Sequence, residues 1–182
     1  MLRLLIIGLI LITGCQAYTP RPQVLPQHIK KIAVRPFVNH TSQLGLEDKL
    51  RLRIIDEFLQ DTRFTITTTE DDTDGVLIGE ITYYFLEPLS YDTSLLPQQY
   101  KLRIILNTYF IDKVNNITLW DEPNFEGVHI YYTSTMPNGI TEEEAREIIW
   151  QALAQKITRR TVEGFGTAAG ISEKKIPTTP QK

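Results

Sequence analysis

A single cysteine, Cys15, stands in a chain of 182 residues. It excludes an intramolecular disulfide and any zinc site built on several thiolates. A strong charge of either sign is missing as well. The 19 Lys+Arg against 22 Asp+Glu leave a net charge of -3, and no basic run interrupts that balance. The electrostatic footprint of a nucleic-acid-binding protein is therefore lacking. Histidine is scarce: His28, His40 and His129 fall in a linker, a loop and a strand, and no two have metal-ligand spacing. The HExxH, G-x-S-x-G and P-loop patterns do not occur. A serine or threonine nucleophile would need a histidine base brought from far along the chain. The expectation is a non-enzyme with no catalytic residue, cofactor or metal. No internal repeat is present. Hydrophobic residues make up 42% and charged residues 23%, enough apolar material for one ordinary domain with its termini attached.

What is present begins at the N-terminus. Arg3 precedes "LLIIGLILI" (Leu4 to Ile12), an apolar run of nine residues. A bilayer-spanning helix needs roughly 20, whereas a signal-peptide core needs no more than this run supplies. The run closes in "ITGC", an aliphatic residue and two small residues before Cys15, which resembles the bacterial lipobox. That resemblance implies cleavage before Cys15 and acylation of its thiol and new amine, and several acyl chains anchor far better than one. The competing reading is a cysteine buried in an ordinary N-terminal helix. Residue 16 is Gln, not the Asp that retains many such lipoproteins at the inner membrane, which implies the periplasmic side of the outer membrane. Residues 1–14 are thus expected to be a signal peptide. Residues 15–26, with Pro20, Pro22 and Pro26, form a lipidated, semi-rigid linker. Residues 27–165 form the folded domain and 166–182 a disordered tail.

Within the domain, Ile32, Ala33 and Val34 mark a buried strand that Pro36 ends or confines to an edge. Leu46, Leu50, Ile54 and Phe58 recur at the four-residue spacing of a helical stripe. "RFTIT" is a candidate short strand. "VLIGEITYYFLE" reads as a strand ended by Pro88. "YKLRIILNTYFID" alternates most clearly: Tyr100, Leu102, Ile104, Leu106 and Phe110 share one face, and Lys101, Arg103, Asn107 and Tyr109 the other. "KVNN" is a turn, so "ITLWDE" pairs back as a hairpin, with a break at Pro123 before "GVHIYY". Thr141 and Glu144 match a capping box, opening a helix whose expected buried stripe is Ala145, Ile148, Ile149, Ala152, Leu153 and Ile157. The order β-α-β-β-β-α predicts an α/β (α+β) two-layer sandwich. Two helices pack on one face of a mainly antiparallel four-stranded sheet.

"EDDTDG" places Glu70, Asp72, Asp74 and Gly75 at positions one, three, five and six of a calcium loop, but the twelfth position is Ile81. An acidic turn before a strand is the simpler reading. "NHT" and "NIT" match the glycosylation acceptor pattern and read more simply as turns. With both helices on one side, the sheet face bearing Lys101, Arg103, Asn107 and Tyr109 has no partner inside the domain. It either faces water or is a docking surface for a protein or an anionic lipid.

Across the mature domain the chain resembles the LptE family of lipopolysaccharide-assembly lipoproteins. The resemblance rests on the lipobox cysteine, "LPQHIKKIAVRPFVNHT", "GLEDKL", "DGVLIGEITYYFLEPLSYD", "YKLRIILNTYFID", "LW" and "TEEEAREIIWQALAQKITRRTVE". It implies an outer-membrane lipoprotein, anchored on the periplasmic side through acylated Cys15, that plugs and helps assemble an LptD-type β-barrel. It also implies lipopolysaccharide as a second partner. Two features depart from the family: "CQAYTP" after the cysteine, and the connecting loops "PLSYDTSLLPQ" and "YYTSTMPNGITEEE", which contain no Lys or Arg. Any contact with phosphorylated lipid then falls to residues such as Lys101 and Arg103. "IKKIAVRPFVNHT" is also similar to the opening of curli-secretion lipoproteins and of lipoprotein activators of cell-wall synthases. The alternative function is regulation of a synthase or part of a secretion pore.

Overall fold

The structure, a computed structural model, describes residues 25–163. The expected signal peptide, the expected lipidation site Cys15, most of the expected linker and the expected C-terminal tail lie outside the described residues.

Strand β1 (Lys31–Val34) turns Ile32 and Val34 toward the main core and Ala33 to the opposite side of the sheet. Helix α1 (Leu46–Gln60) buries the four residues of its stripe, Leu46, Leu50, Ile54 and Phe58. After α1 the chain returns as β3 (Thr65–Thr67), parallel to β1 with Lys31 opposite Thr65. Parallel pairing follows from the crossover, because α1 carries the chain back to the end where β1 began. The long strand β4 (Gly75–Tyr91) takes the other side of β1, also parallel, with Ile32 opposite Gly75. Beyond the end of β1, the two-residue β2 (Val38–Asn39) continues along the same edge of β4. Strands β5 (Pro97–Asp112) and β6 (Ile117–Tyr132) then add as antiparallel hairpins. Helix α2 (Glu142–Glu163) closes the fold.

The sheet is thus mixed and six-stranded, ordered β3-β1-β4-β5-β6 with β2 beside β4. This corrects the expected four mainly antiparallel strands: the element order is β-β-α-β-β-β-β-α. Strands β2 and β3 are two and three residues long, too short to carry a hydrophobic period. Two prolines also failed to end strands. Pro88 lies within β4 where, past Ile81, no strand pairs with its outer side, so a missing N–H is harmless. Pro123 sits in β6 at a bulge, where the register passes from Thr108–Glu122 to Leu106–Phe125. Asn124 takes a positive φ of 57° there, and its N–H is bound by the Asn107 side chain at 3.0 Å.

The capping box forms as expected. The Glu144 carboxylate accepts the Thr141 N–H at 2.8 Å, and the Thr141 hydroxyl accepts the Glu144 N–H at 3.2 Å. The buried arc of α2 is wider than its predicted stripe and rotated from it. Trp150, Ala154, Thr161 and Val162 are inside, while Ile148 and Ala152 are exposed. The cause is that α2 packs on both the sheet and α1. Gly127 permits the close approach to the sheet, since a Cβ there would lie 2.5 Å from Ile149 Cγ2. Between the helices, Lys49 meets Glu143, Arg53 meets Glu147 at 2.8 Å, and Gln151 meets Glu57. Each pair is separated by 94 positions, so α1 and α2 run parallel. Exposed rungs of this kind contribute only about 0–1 kcal/mol each.

Candidate functional site

The even-numbered residues of β5 from Leu102 to Phe110 lie against the helices, and the odd-numbered ones face away. The second face divides into two ends. At one, Ala33, Val76, Ile78 and Ile111 form a small buried cluster with Tyr109 packed on it. The β3–β4 loop is pinned at this end. Arg35 grips Glu70 through Nε and Nη2, both at 2.7 Å; Thr73 Oγ1 and Lys113 Nζ donate to the Glu70 carbonyl. Asp74 accepts the backbone N–H groups of Lys30 and Lys31 at 2.8 Å, and Asp72 pairs with Lys31. All three carboxylates of the calcium-like pattern are therefore engaged by the chain itself.

These contacts set a pH response. Above all, the Arg35 guanidinium holds the Glu70 carboxyl below its usual 4.5, and the Lys31 N–H, then that of Lys30, holds Asp74 below 3.8. Both groups have depressed folded-state pKa values. Their stabilisation is fully present above those usual values and is lost as pH falls through the depressed ones. Hydrogen exchange of residues 68–74 should rise selectively on acidification in that range, and Glu70→Gln should flatten the response. A loop whose protection stays constant down to the acid unfolding of the whole domain would contradict this.

At the other end the face is open. A row across three strands sets Phe85 opposite Arg103 and Arg103 opposite Val128. Tyr83 stacks on Phe85 with ring centroids 5.6 Å apart, and the Arg103 guanidinium lies 5.3 Å from the Phe85 centroid. Arg103 also reaches Glu126 at 3.6 Å. Ile105 lies opposite Tyr83, and Ile130 and Tyr132 extend the surface along β6. Tyr83, Phe85, Val128, Ile130 and Tyr132 are each 42–53% exposed. So many contiguous large apolar groups on one face mark an interaction surface better than they mark a solvated one.

Of the four residues singled out in β5, Lys101 and Arg103 belong to this open end, and Lys101 makes no ion pair among the described residues. Asn107 holds the β6 bulge, and Tyr109 covers the small buried cluster, so these two are structural. Burial pushes the Tyr109 hydroxyl pKa upward, partly offset by Arg35. The aromatic and aliphatic partners in β4 and β6 were not foreseen. Alternation in "VHIYY" points to Val128, Ile130 and Tyr132. In β4 the signal is broken, because Ile81 faces the core and a register shift at Thr82 sends Tyr83 to the outer face.

Elsewhere the described residues hold little that could host chemistry. His28 binds the buried Asp112 at 2.9 Å, His40 lies 3.6 Å from Glu80, and His129 stacks on Tyr131. No group of three metal-ligating side chains gathers among the described residues. A concavity of about 640 Å³ between the helix C-termini is shallow and of mixed charge, with Glu57, Asp61, Arg63, Arg159 and Glu163 in its lining. No helix of the described residues is long and apolar enough to cross a membrane.

The family model for LptE, lipopolysaccharide-assembly, matches residues 29–162, nearly the whole described domain. The chain belongs to the LptE family. That membership supports an outer-membrane lipoprotein of lipopolysaccharide assembly. No curated protein is similar enough in sequence to match. In fold the chain is similar to the hypothetical protein CT253 from Chlamydia trachomatis, at a TM-score of 0.50 and 10% identity, over 72% of this chain and 95% of that one. It is also similar to PelC from Paraburkholderia phytofirmans, a dodecamer, at a TM-score of 0.51 and 11% identity, over 79% and 96% of the two chains. At such identities the shared property is the sandwich alone.

Proposed function

We propose that this LptE-family chain acts at the periplasmic side of the outer membrane by occupying an LptD-type β-barrel, with no reaction of its own to catalyse. It supports the barrel's assembly and the passage of lipopolysaccharide to the surface. The observation that carries this reading is the open sheet face, where Tyr83, Phe85, Val128 and Ile130 surround Arg103. Aromatic residues and arginine are the residue types enriched at the centre of protein interfaces. A plug also has to be rigid, and a six-stranded sheet backed by two parallel helices supplies that rigidity. Lys101, without an ion-pair partner among the described residues, is the cation offered to a phosphorylated lipid beside the same face. An anchor at Cys15 followed by the proline-rich linker keeps the domain at the membrane that holds the barrel.

The test is affinity purification of the full chain from detergent-solubilised outer membrane, with partners identified by mass. A stable one-to-one complex with the barrel, and loss of surface lipopolysaccharide when the chain is depleted, is the expected result. Recovery of a cell-wall synthase or of a homo-oligomeric pore, with no barrel, would overturn it.

A further inference from the structure

The tip of the β4–β5 hairpin lies beyond the open end of the site above, where Gln99 pairs with Tyr132. On β4 the Tyr84 hydroxyl donates to Glu142 of the helical layer, and from Phe85 onward the strand has no buried residue. At the apex, Leu95 and Leu96 are 79% and 62% exposed, with Leu89 and Tyr91 just behind them. Exposure alone would mean little if the loop were loose, but it is tied down. The Asp92 carboxylate accepts the N–H groups of Ser94 and Leu96, both at 2.8 Å. Asp92 N–H donates to the Leu96 carbonyl and Leu95 N–H to the Asp92 carbonyl. Asp92 is the one acidic or basic side chain from Pro88 to Gln98, and its carboxylate is hydrogen-bonded inside the turn.

The backbone gives a second, independent sign. Four non-glycine residues among those described have positive φ. Three are asparagines, Asn116, Asn124 and Asn138, the residue type that tolerates the left-handed region. The fourth is Leu95, at φ 62°. A bulky aliphatic residue is disfavoured there, and an asparagine or glycine would relieve both the strain and the exposure. The turn instead holds a leucine outward at the apex, and strain kept in place by surrounding bonds is a mark of function.

We propose that this hairpin tip inserts into the hydrocarbon of a phospholipid bilayer. The chemistry fits that occupant: three leucines and a tyrosine at or just behind a closed turn, its one carboxylate bonded to two N–H groups of that turn, and the N–H groups of Asp92, Ser94, Leu95 and Leu96 all bound, as a lipid phase favours. Topology makes the contact useful. His28, three residues before β1, lies beside Asp112, and β4 carries the tip some 55 Å from that end at about 3.3 Å per residue. Cys15 is ten residues before residue 25, a reach of at most about 35 Å, so a membrane-tethered domain can lie down and touch the bilayer at both poles. The proposal concerns the chain before it meets any partner and does not rest on the barrel reading.

The experiment uses the full chain reconstituted without barrel in phospholipid vesicles containing chain-brominated phosphatidylcholine. Leu95→Trp adds an emitter at the apex, read against the native Trp120 and Trp150, both buried. Leu96→Trp is the second reporter, with Leu95 intact. Leu44→Trp, at a position 90% exposed before α1, is the control. The added emission at 95 and 96 should shift to the blue and be quenched by bromine, while that at 44 should not. Unquenched emission at both tip positions, or equal quenching at 44, would overturn the proposal. So would a blue shift that appears only after purified barrel is added to unbrominated vesicles, because the occupant would then be protein.

Discussion

Phe85→Glu combined with Val128→Glu should abolish recovery of the barrel complex while the domain stays folded. The two residues flank Arg103 in one cross-strand row, at 42% and 43% exposure. In the free domain both carboxylates remain hydrated and lie beside a guanidinium, so the cost to folding is small. In a docked state they would be desolvated among aromatic contacts, and truncation of central interface residues of this kind typically costs about 2–4 kcal/mol. Charge burial adds to that loss. Pull-down yield measures the first part and thermal unfolding the second. Undiminished complex with both substitutions in place would remove the sheet face from the interface.

Trp150→Ala should be the most destabilising single change in the domain. Trp150 is fully buried in α2, among the residues that fill the space between the sheet and α1. Removing so large a side chain from a core typically costs about 3–5 kcal/mol, a large share of the roughly 5–15 kcal/mol that holds an ordinary domain together. Trp150→Phe should cost much less. The indole N–H has no hydrogen-bond partner among the described residues, so its loss leaves no group unsatisfied. Denaturant midpoints for the two variants check the order. Equal destabilisation by both would mean that the indole N–H is engaged after all.

The sequence made the helices and the alternation of β5 legible for a simple reason: each extends over enough residues for its period to repeat. Leu46, Leu50, Ile54 and Phe58 are all buried, and the Thr141–Glu144 box caps α2. Strands β2 and β3 escaped or were marginal because two or three residues hold no period. Proline misled at Pro88 and Pro123, since whether a missing N–H matters depends on what lies beside the strand. The site was half legible. Lys101 and Arg103 were found from alternation within one strand, but Phe85 and Tyr83 join them only through the register shift at Thr82, a property of paired strands. Asn107 and Tyr109 share the face by alternation and yet serve the bulge and the small cluster, roles that alternation cannot distinguish.

The placement of β1 has a mechanical meaning. The chain enters the domain through this strand, which lies between β3 and β4 and runs parallel to both. A pull on β1 along its own axis loads both of its neighbours at once. The evenly spaced bonds of the two parallel ladders then bear the load together, in shear. An edge strand of an antiparallel hairpin, peeled from its end, would instead surrender its bonds one at a time. In the anchored plug proposed above, the strand that would take such tension is the one sewn in on both sides.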